Sequence, residues 1–174
     1  MGIDDVWILT LNAGSSSLKF AAYQANTDQQ IIAGQIAAIG PSAKMVVNGN
    51  SVSIDADNYA DAVRAVFKTL LDHSALSPTP AIIGHRIVHG GKLHAAAEIS
   101  PEVGLEIEAA AALAPLHNPP ALAVIDAVND ILPDVRQLAC FDTTFHADNP
   151  QVATTLPIPK DLRDKGLRRY GFHG

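Results

Sequence analysis

Asn12, Arg86, His117 and Asp142 each stand where an apolar run ends or a helix-start signal begins, the places where sites form in α/β proteins. Around the first of them the chain reads Asn12-Ala13-Gly14-Ser15-Ser16-Ser17, followed closely by Lys19. Small residues at such a turn let the backbone approach a ligand, and successive N–H groups can form a concave anion site. Three hydroxyls and the Lys19 charge make the stretch either a phosphate clamp or, more simply, a Ser-rich turn beside a solvated lysine. It is not a Walker loop: no second glycine follows Gly14, and Lys19 comes one position too early for G-x-x-x-x-G-K. Arg86 offers a planar fork for phosphate or carboxylate, and Asp142 a hard oxygen for a largely hydrated Mg²⁺. Each also has a plain structural use. Asn12 can start a turn, Asp142 can cap the next one, Arg86 can pair with a surface acid and His117 can pack as a neutral imidazole. Together they meet what phosphoryl transfer asks of a protein: positioning, cationic stabilisation of the phosphoryl oxygens and a carboxylate beside Mg²⁺.

The elements that must position these residues emerge from periodicity. Val6–Leu11 and Leu18–Tyr23 are apolar runs flanking the serine turn and read as a hairpin. Gln30–Ile39 reads as a third strand, and Lys44–Val47 and Val52–Ile54 flank Asn48-Gly49-Asn50, a tight-turn signal. The first third is therefore an antiparallel meander. Asp57 or Asn58 then caps a helix whose apolar face is Tyr59, Val63, Val66, Phe67, Leu70 and Leu71. Ala81–Val88 reads as a buried strand ending at His89-Gly90-Gly91. Ser100-Pro101-Glu102 opens an Ala-rich helix to about Ala114, and Asn118-Pro119 repeats the cap-plus-proline logic for another, with Leu122, Ile125, Val128 and Leu132 on its apolar face. Pro133 stops that helix, and Val135–Phe141 is a further buried strand closed by Asp142. From Thr143 the chain reads as loop, with a short polar helix near Lys160–Lys165. The order predicts a mixed α/β layer rather than a strictly alternating parallel fold.

Bulk properties narrow the setting. The 174 residues are 48% apolar and 17% charged, enough to bury a proper core. A net charge of −6 argues against a general nucleic-acid or anionic-membrane surface, though not against a local basic pocket. The one cysteine, Cys140, has no partner for an internal disulfide, which fits a reducing compartment. No secretory signal precedes Val6 and no apolar run reaches membrane-spanning length, so a cytoplasmic location is expected. His73, His85, His94 and His146 lack metal-ligand spacing and read as structural or solvent-facing.

Five stretches carry a family resemblance: LNAGSSSLKF (11–20), GHRIVHGG (84–91), APLHNPP (114–120), FDTTFH (141–146) and YGFHG (170–174). In their order and approximate spacing the chain resembles the acetate kinase family, of the acetate and sugar kinase, Hsp70 and actin superfamily. The resemblance implies a ribonuclease-H-like domain over 1–148, a mixed sheet with an antiparallel meander and flanking helices. It also implies that 149–174 are a linker and the start of a second, nucleotide-binding domain. By this resemblance Asn12, Ser15, Ser17 and Lys19 lie at the phosphate end of a nucleotide cleft, and Arg86 binds the acetate carboxylate and the transferring phosphoryl group. Val88, Leu116 and Phe172 form the pocket for the acetate methyl, His117 lies close to the phosphate path, and His173 donates to the phosphoryl oxygens. Asp142 supports Mg²⁺, with Asn12 beside it, or the attacking carboxylate.

The implied activity is reversible transfer of the ATP γ-phosphoryl group to acetate, giving acetyl phosphate and ADP. A kinase for propionate or another short-chain acid is the near alternative, since one methylene in an apolar pocket is worth only about 1–3 kcal/mol. Family members run to more than twice this length, and a second arginine, a Mg²⁺-holding glutamate and the adenosine-binding segments belong to the part beyond Gly174. The 174 residues alone are thus expected to be inactive, a folded non-catalytic module. The family's homodimer contacts lie largely in the second domain, which argues against dimerisation of this stretch by itself. An actin- or Hsp70-like ATPase is disfavoured because such proteins need no small carboxylate pocket.

Overall fold

The computed structural model describes residues 6–73, 76–165 and 167–170. Strands β1 (Trp7–Ala13), β2 (Ser17–Gln24), β3 (Gln30–Ala37), β4 (Lys44–Val47) and β5 (Asn50–Ser53) form the meander, each antiparallel to the next. The last turn is the tight one its sequence predicts, with Asn48 and Gly49 at φ 47° and 85°. Only residues that tolerate positive φ fit both central positions of such a turn. Helix α1 (Tyr59–Leu71) comes next, then β6 (Ile82–Ile87), the two-residue strand β7 (Ala97–Glu98), α2 (Pro101–Ala109), α3 (Asn118–Ile131) and β8 (Arg136–Phe141). Short helices α4 (Gln151–Thr154) and α5 (Lys160–Asp164) close the described chain.

The sheet order is β5-β4-β3-β2-β1-β6-β8-β7, with β6 parallel to both β1 and β8. Parallel neighbours need a crossover, and the helical segments supply it. All three long helices lie on one side of the sheet. Leu9 and Leu11 of β1, Phe20 of β2 and Ile83 of β6 pack there against Val63, Val66 and Leu70 of α1 and Val124 and Val128 of α3. A second cluster joins Ile87, Ala139 and Phe141 to Ile107 of α2 and Ala121 and Ile125 of α3. The other side carries the alternate residues of the same strands, among them the exposed Thr10, Lys19, Arg86 and Cys140. One side of the sheet is a core; the other is left open.

Several sequence expectations shift. The fifth strand is Asn50–Ser53 rather than Val52–Ile54, because the turn takes only two residues. Leu71 is 62% exposed: it sits 100° around α1 from Leu70, and Leu70 takes the buried direction. The Ala-rich helix tightens into a 3₁₀ turn at Ala110–Ala112 and stops short of Ala114. Asn118 does not cap α3. His117 occupies that position without a side-chain bond, and Asn118 lies in the first turn, fully buried. Prolines 119 and 120 are accommodated without penalty because first-turn N–H groups have no intrahelical partner. Asp142–His146 wind into a 3₁₀ turn, where loop was expected from Thr143. Cys140, expected in a buried strand, is exposed because its side chain points to the open side.

On the core side His85 is 2% exposed, and its Nε2 meets Gln137 Oε1 at 2.7 Å. Gln137 in turn donates through Nε2 to Asn129 Oδ1 at 2.5 Å, so the His85 Nε2 must carry the hydrogen. Burial pushes the His85 pKa down to about 4, with the Gln137 bond opposing. A pKa below the unfolded value of 6.5 means that the unfolded chain binds the extra proton first. The stability this neutral imidazole protects is whole above pH 6.5 and is lost as pH falls towards 4. Thermal unfolding across that window is expected to show a loss of roughly 3 kcal/mol that a His85→Gln variant lacks. Parallel pH slopes for the two proteins would refute it.

Candidate active site

The hairpin between β1 and β2 is closed by Gly14 N–H donating to Ser17 O at 2.8 Å. A Cβ on Gly14 would sit 2.6 Å from Ser17 Oγ, so a larger residue there would make the Ser17 hydroxyl turn away. Antiparallel register sets Asn12 opposite Lys19, both on the open side of the sheet. Two further ties hold the turn: Ile39 N–H donates to Ser16 O at 3.0 Å, and the Tyr59 hydroxyl donates to Gly14 O.

Arg86 and Asp142 arrive from β6 and the end of β8. The parallel register Ile87↔Phe141 places Arg86 one residue before that pair and Asp142 one after it, on the same side of the sheet. Arg86 Nε donates to Asp142 Oδ1 at 2.9 Å and Nη2 to Oδ2 at 2.7 Å, a bidentate pair. The arginine side chain is 50% exposed and the aspartate 17%. The hydrogen bonds it donates to Asp142 raise the Arg86 pKa, so the guanidinium is charged at any working pH.

After β6 the chain makes the sharp loop 89–91, with Gly91 at φ 61°. Asn118 stitches this loop down. Its Nδ2 donates to His89 O (2.9 Å) and Ile107 O (3.0 Å), and its Oδ1 accepts from His89 N at 3.3 Å. Gly90 N–H donates to Thr143 Oγ1 at 3.1 Å, and a Cβ on Gly90 would meet the Phe141 ring at 2.7 Å. His89 is not aimed at the open side. Its Nδ1 accepts from Gly91 N–H at 3.0 Å, its ring lies edge-on to Tyr170, and burial lowers its pKa.

The open side then holds a cleft of about 200 Å³ whose lining includes Asn12, Ser17, Lys19, Arg86, Val88, His117 and Asp142, together with Ala13 and Gly14. Ser15 stays exposed at the hairpin tip and Leu116 is 68% exposed, both outside that lining. Leu116 is looped outward by the turn in which His117 N–H and Asn118 N–H both donate to Ala114 O. Phe172 and His173 lie outside the described residues. Among the described residues no group of three or more His, Cys, Asp or Glu gathers to hold a metal. Two cations, one carboxylate and neutral donors suit the cleft to an anion with a bound cation, not to a metal held by protein alone.

Sequence reasoning missed Asn118 and Thr143 as supports of the loop. For Asn118 a signal existed: it precedes the buried Ala121 and Ile125 by three and seven positions, on the inward stripe of α3. For Thr143 there was none, since its partner Gly90 lies 53 residues away.

An acetate kinase of Rhodopseudomonas palustris strain TIE-1 is 40% identical over 179 residues, covering 96% of this chain and 45% of the relative. One from Clostridium botulinum strain Hall is 36% identical over 178 residues, with the same coverages. The crystal structure of Porphyromonas gingivalis acetate kinase superposes with a TM-score of 0.86 at 34% identity, and that of a Francisella tularensis propionate kinase with 0.88 at 33%. Each superposition covers 97% of this chain and 45% of the other. The chain thus spans less than half the length of the curated relatives it matches. Its fold is the mixed α/β sheet with flanking helices of the actin and Hsp70 type. The family model described as the acetokinase family matches residues 7–174, and the chain belongs to that family of kinases.

Proposed function

We propose that these 174 residues supply the acid-binding and phosphoryl-binding wall of an acetate kinase, which moves the ATP γ-phosphoryl group reversibly to acetate. One observation carries the reading: Asn12, Lys19, Arg86, His117 and Asp142, far apart in the sequence, line a single cleft on the uncovered side of the sheet. In it Arg86 binds the carboxylate and the migrating phosphoryl group. Two of its N–H groups face Asp142, and the rest of the fork remains for the substrate anion. Lys19, Ser17 and the hairpin amides take the nucleotide phosphates, and His117 stands beside their path. Val88 offers the acid's methyl group an apolar contact, with Leu116 and Phe172 proposed to join it in the assembled enzyme. His173 is proposed to donate to the phosphoryl oxygens.

The Asp142 carboxylate and Asn12 amide oxygen are hard donors on one wall. They fit a Mg²⁺ that keeps most of its shell as water and phosphate oxygens. When bound, that ion would neutralise charge developing on the phosphoryl oxygens. Residues 1–148 are proposed as one domain and 149–174 as the opening of the nucleotide-binding one. A cytoplasmic setting is proposed from the lone Cys140; among the described residues no helix is long and apolar enough to cross a membrane.

The test is an acyl-hydroxamate assay with ATP, Mg²⁺ and acids from formate to butyrate, on an enzyme of full family length carrying this chain. Turnover is expected to peak at acetate and to fall by about 10- to 100-fold in kcat/KM within one or two methylenes. A peak at propionate would reassign the acid, and ATP hydrolysis indifferent to every acid would make the protein an ATPase.

A further inference from the structure

We infer that Tyr59 is a positioning residue for the phosphate-facing hairpin: its hydroxyl holds the Gly14 carbonyl and so fixes Gly14 where it lines the cleft. What the hairpin binds rests on the kinase reading above; the contact itself does not.

The hairpin tip has little to hold it. Its residues are small, Ser15 and Ser16 are exposed, and its backbone ties are the closing bond from Gly14 and the bond from Ile39 to Ser16 O. Those ties fix the Gly14 amide and the Ser16 carbonyl, but neither sets the plane of the peptide between Gly14 and Ser15. Tyr59 does. It is the first residue of α1, and the Asn58 cap fixes its backbone by accepting Asp61 N–H at 3.0 Å. Its ring packs against the core cluster, which leaves only the hydroxyl to reach the hairpin. Partial burial raises the phenol pKa and keeps the hydroxyl a donor.

Helix α1 covers the core side, so the Tyr59 hydroxyl anchors the Gly14 carbonyl from there and leaves the cleft face of the turn free. Gly14 and Ser17 line the cleft there. A turn held in place before an anion arrives needs less reorganisation on binding. Tyr59 lies outside every motif-bearing stretch, and its helical spacing marks it only as a packing residue.

The experiment compares wild type with Tyr59→Phe, which keeps the packed ring, in an enzyme of full family length. Tripolyphosphate binding by calorimetry and steady-state kinetics are read side by side. The variant is expected to bind tripolyphosphate about 3- to 10-fold more weakly and to raise KM for ATP by the same factor, the range set by one hydrogen bond of ordinary net worth. KM for the acid should stay within about twofold, a split that a general loosening would not produce. Unchanged tripolyphosphate affinity, or equal losses for both substrates with a lowered Tm, would overturn the role of Tyr59. A wild type that neither binds tripolyphosphate nor turns over would overturn the kinase reading and this role together. A wild type active with an indistinguishable variant overturns the role alone.

Discussion

An Arg86→Ala variant of an enzyme carrying this chain is expected to lose about 10²- to 10³-fold in kcat, roughly 3–4 kcal/mol of transition-state stabilisation, while unfolding almost where the wild type does. The two halves of that result come from different physics. Arg86 holds Asp142 through a bidentate pair, but its side chain is half exposed, and ion pairs in contact with water contribute about 0–1 kcal/mol to folding. Against the phosphoryl group proposed to migrate in the cleft, the same guanidinium would be a preorganised charge and worth far more. Asp142 would also lose its partner and draw closer to any cation, so metal affinity should not fall with turnover. Circular dichroism melting and steady-state kinetics on one preparation separate the halves. A variant with wild-type kcat would remove Arg86 from the mechanism, and one with a collapsed Tm would make it a structural residue.

Asn118→Ala is expected to show the opposite pattern, a large loss of stability. Its side chain is fully buried and makes three hydrogen bonds, to His89 N, His89 O and Ile107 O. Truncation leaves those backbone groups without partners away from water. Each orphaned group costs about 1–3 kcal/mol, and partial relaxation brings the expected sum to roughly 3–5 kcal/mol. For a domain of this size that is about 10 °C or more in Tm. Asn118→Asp should do little better, since a carboxylate can accept from His89 N–H but cannot donate to the two carbonyls. Denaturant unfolding measures it directly. A loss below about 1 kcal/mol would mean that another donor or an entering water satisfies the loop.

The contrast between these two residues shows how much a linear chain can reveal. Asn118 and Arg86 both look like polar punctuation beside apolar runs. Only the packing of α3 over the loop at 89–91 makes one a buried stitch, and only the register of β6 against β8 makes the other face Asp142, 56 residues away. Leu116 makes the same point from the other side. It sits beside His117 in one motif, yet the turn before α3 throws its side chain into solvent.

Whatever depends on neighbours a few residues apart is legible in the amino-acid order alone. The Asn48-Gly49 turn, the Asn58 and Ser100 caps, the inward stripe of α1, the meander and the five motifs are of this kind, because turn dihedrals, capping bonds and side-chain periodicity are local. Whatever depends on pairing across long stretches belongs to the packed molecule. Packing placed β6 between β1 and β8, left one side of the sheet uncovered and put a tyrosine hydroxyl from the core side against the hairpin carbonyl. Parallel pairing has no signature in either strand alone, and a cleft belongs to several elements at once. Its existence depends on which side of the sheet the helices cover, a choice made by the whole hydrophobic core.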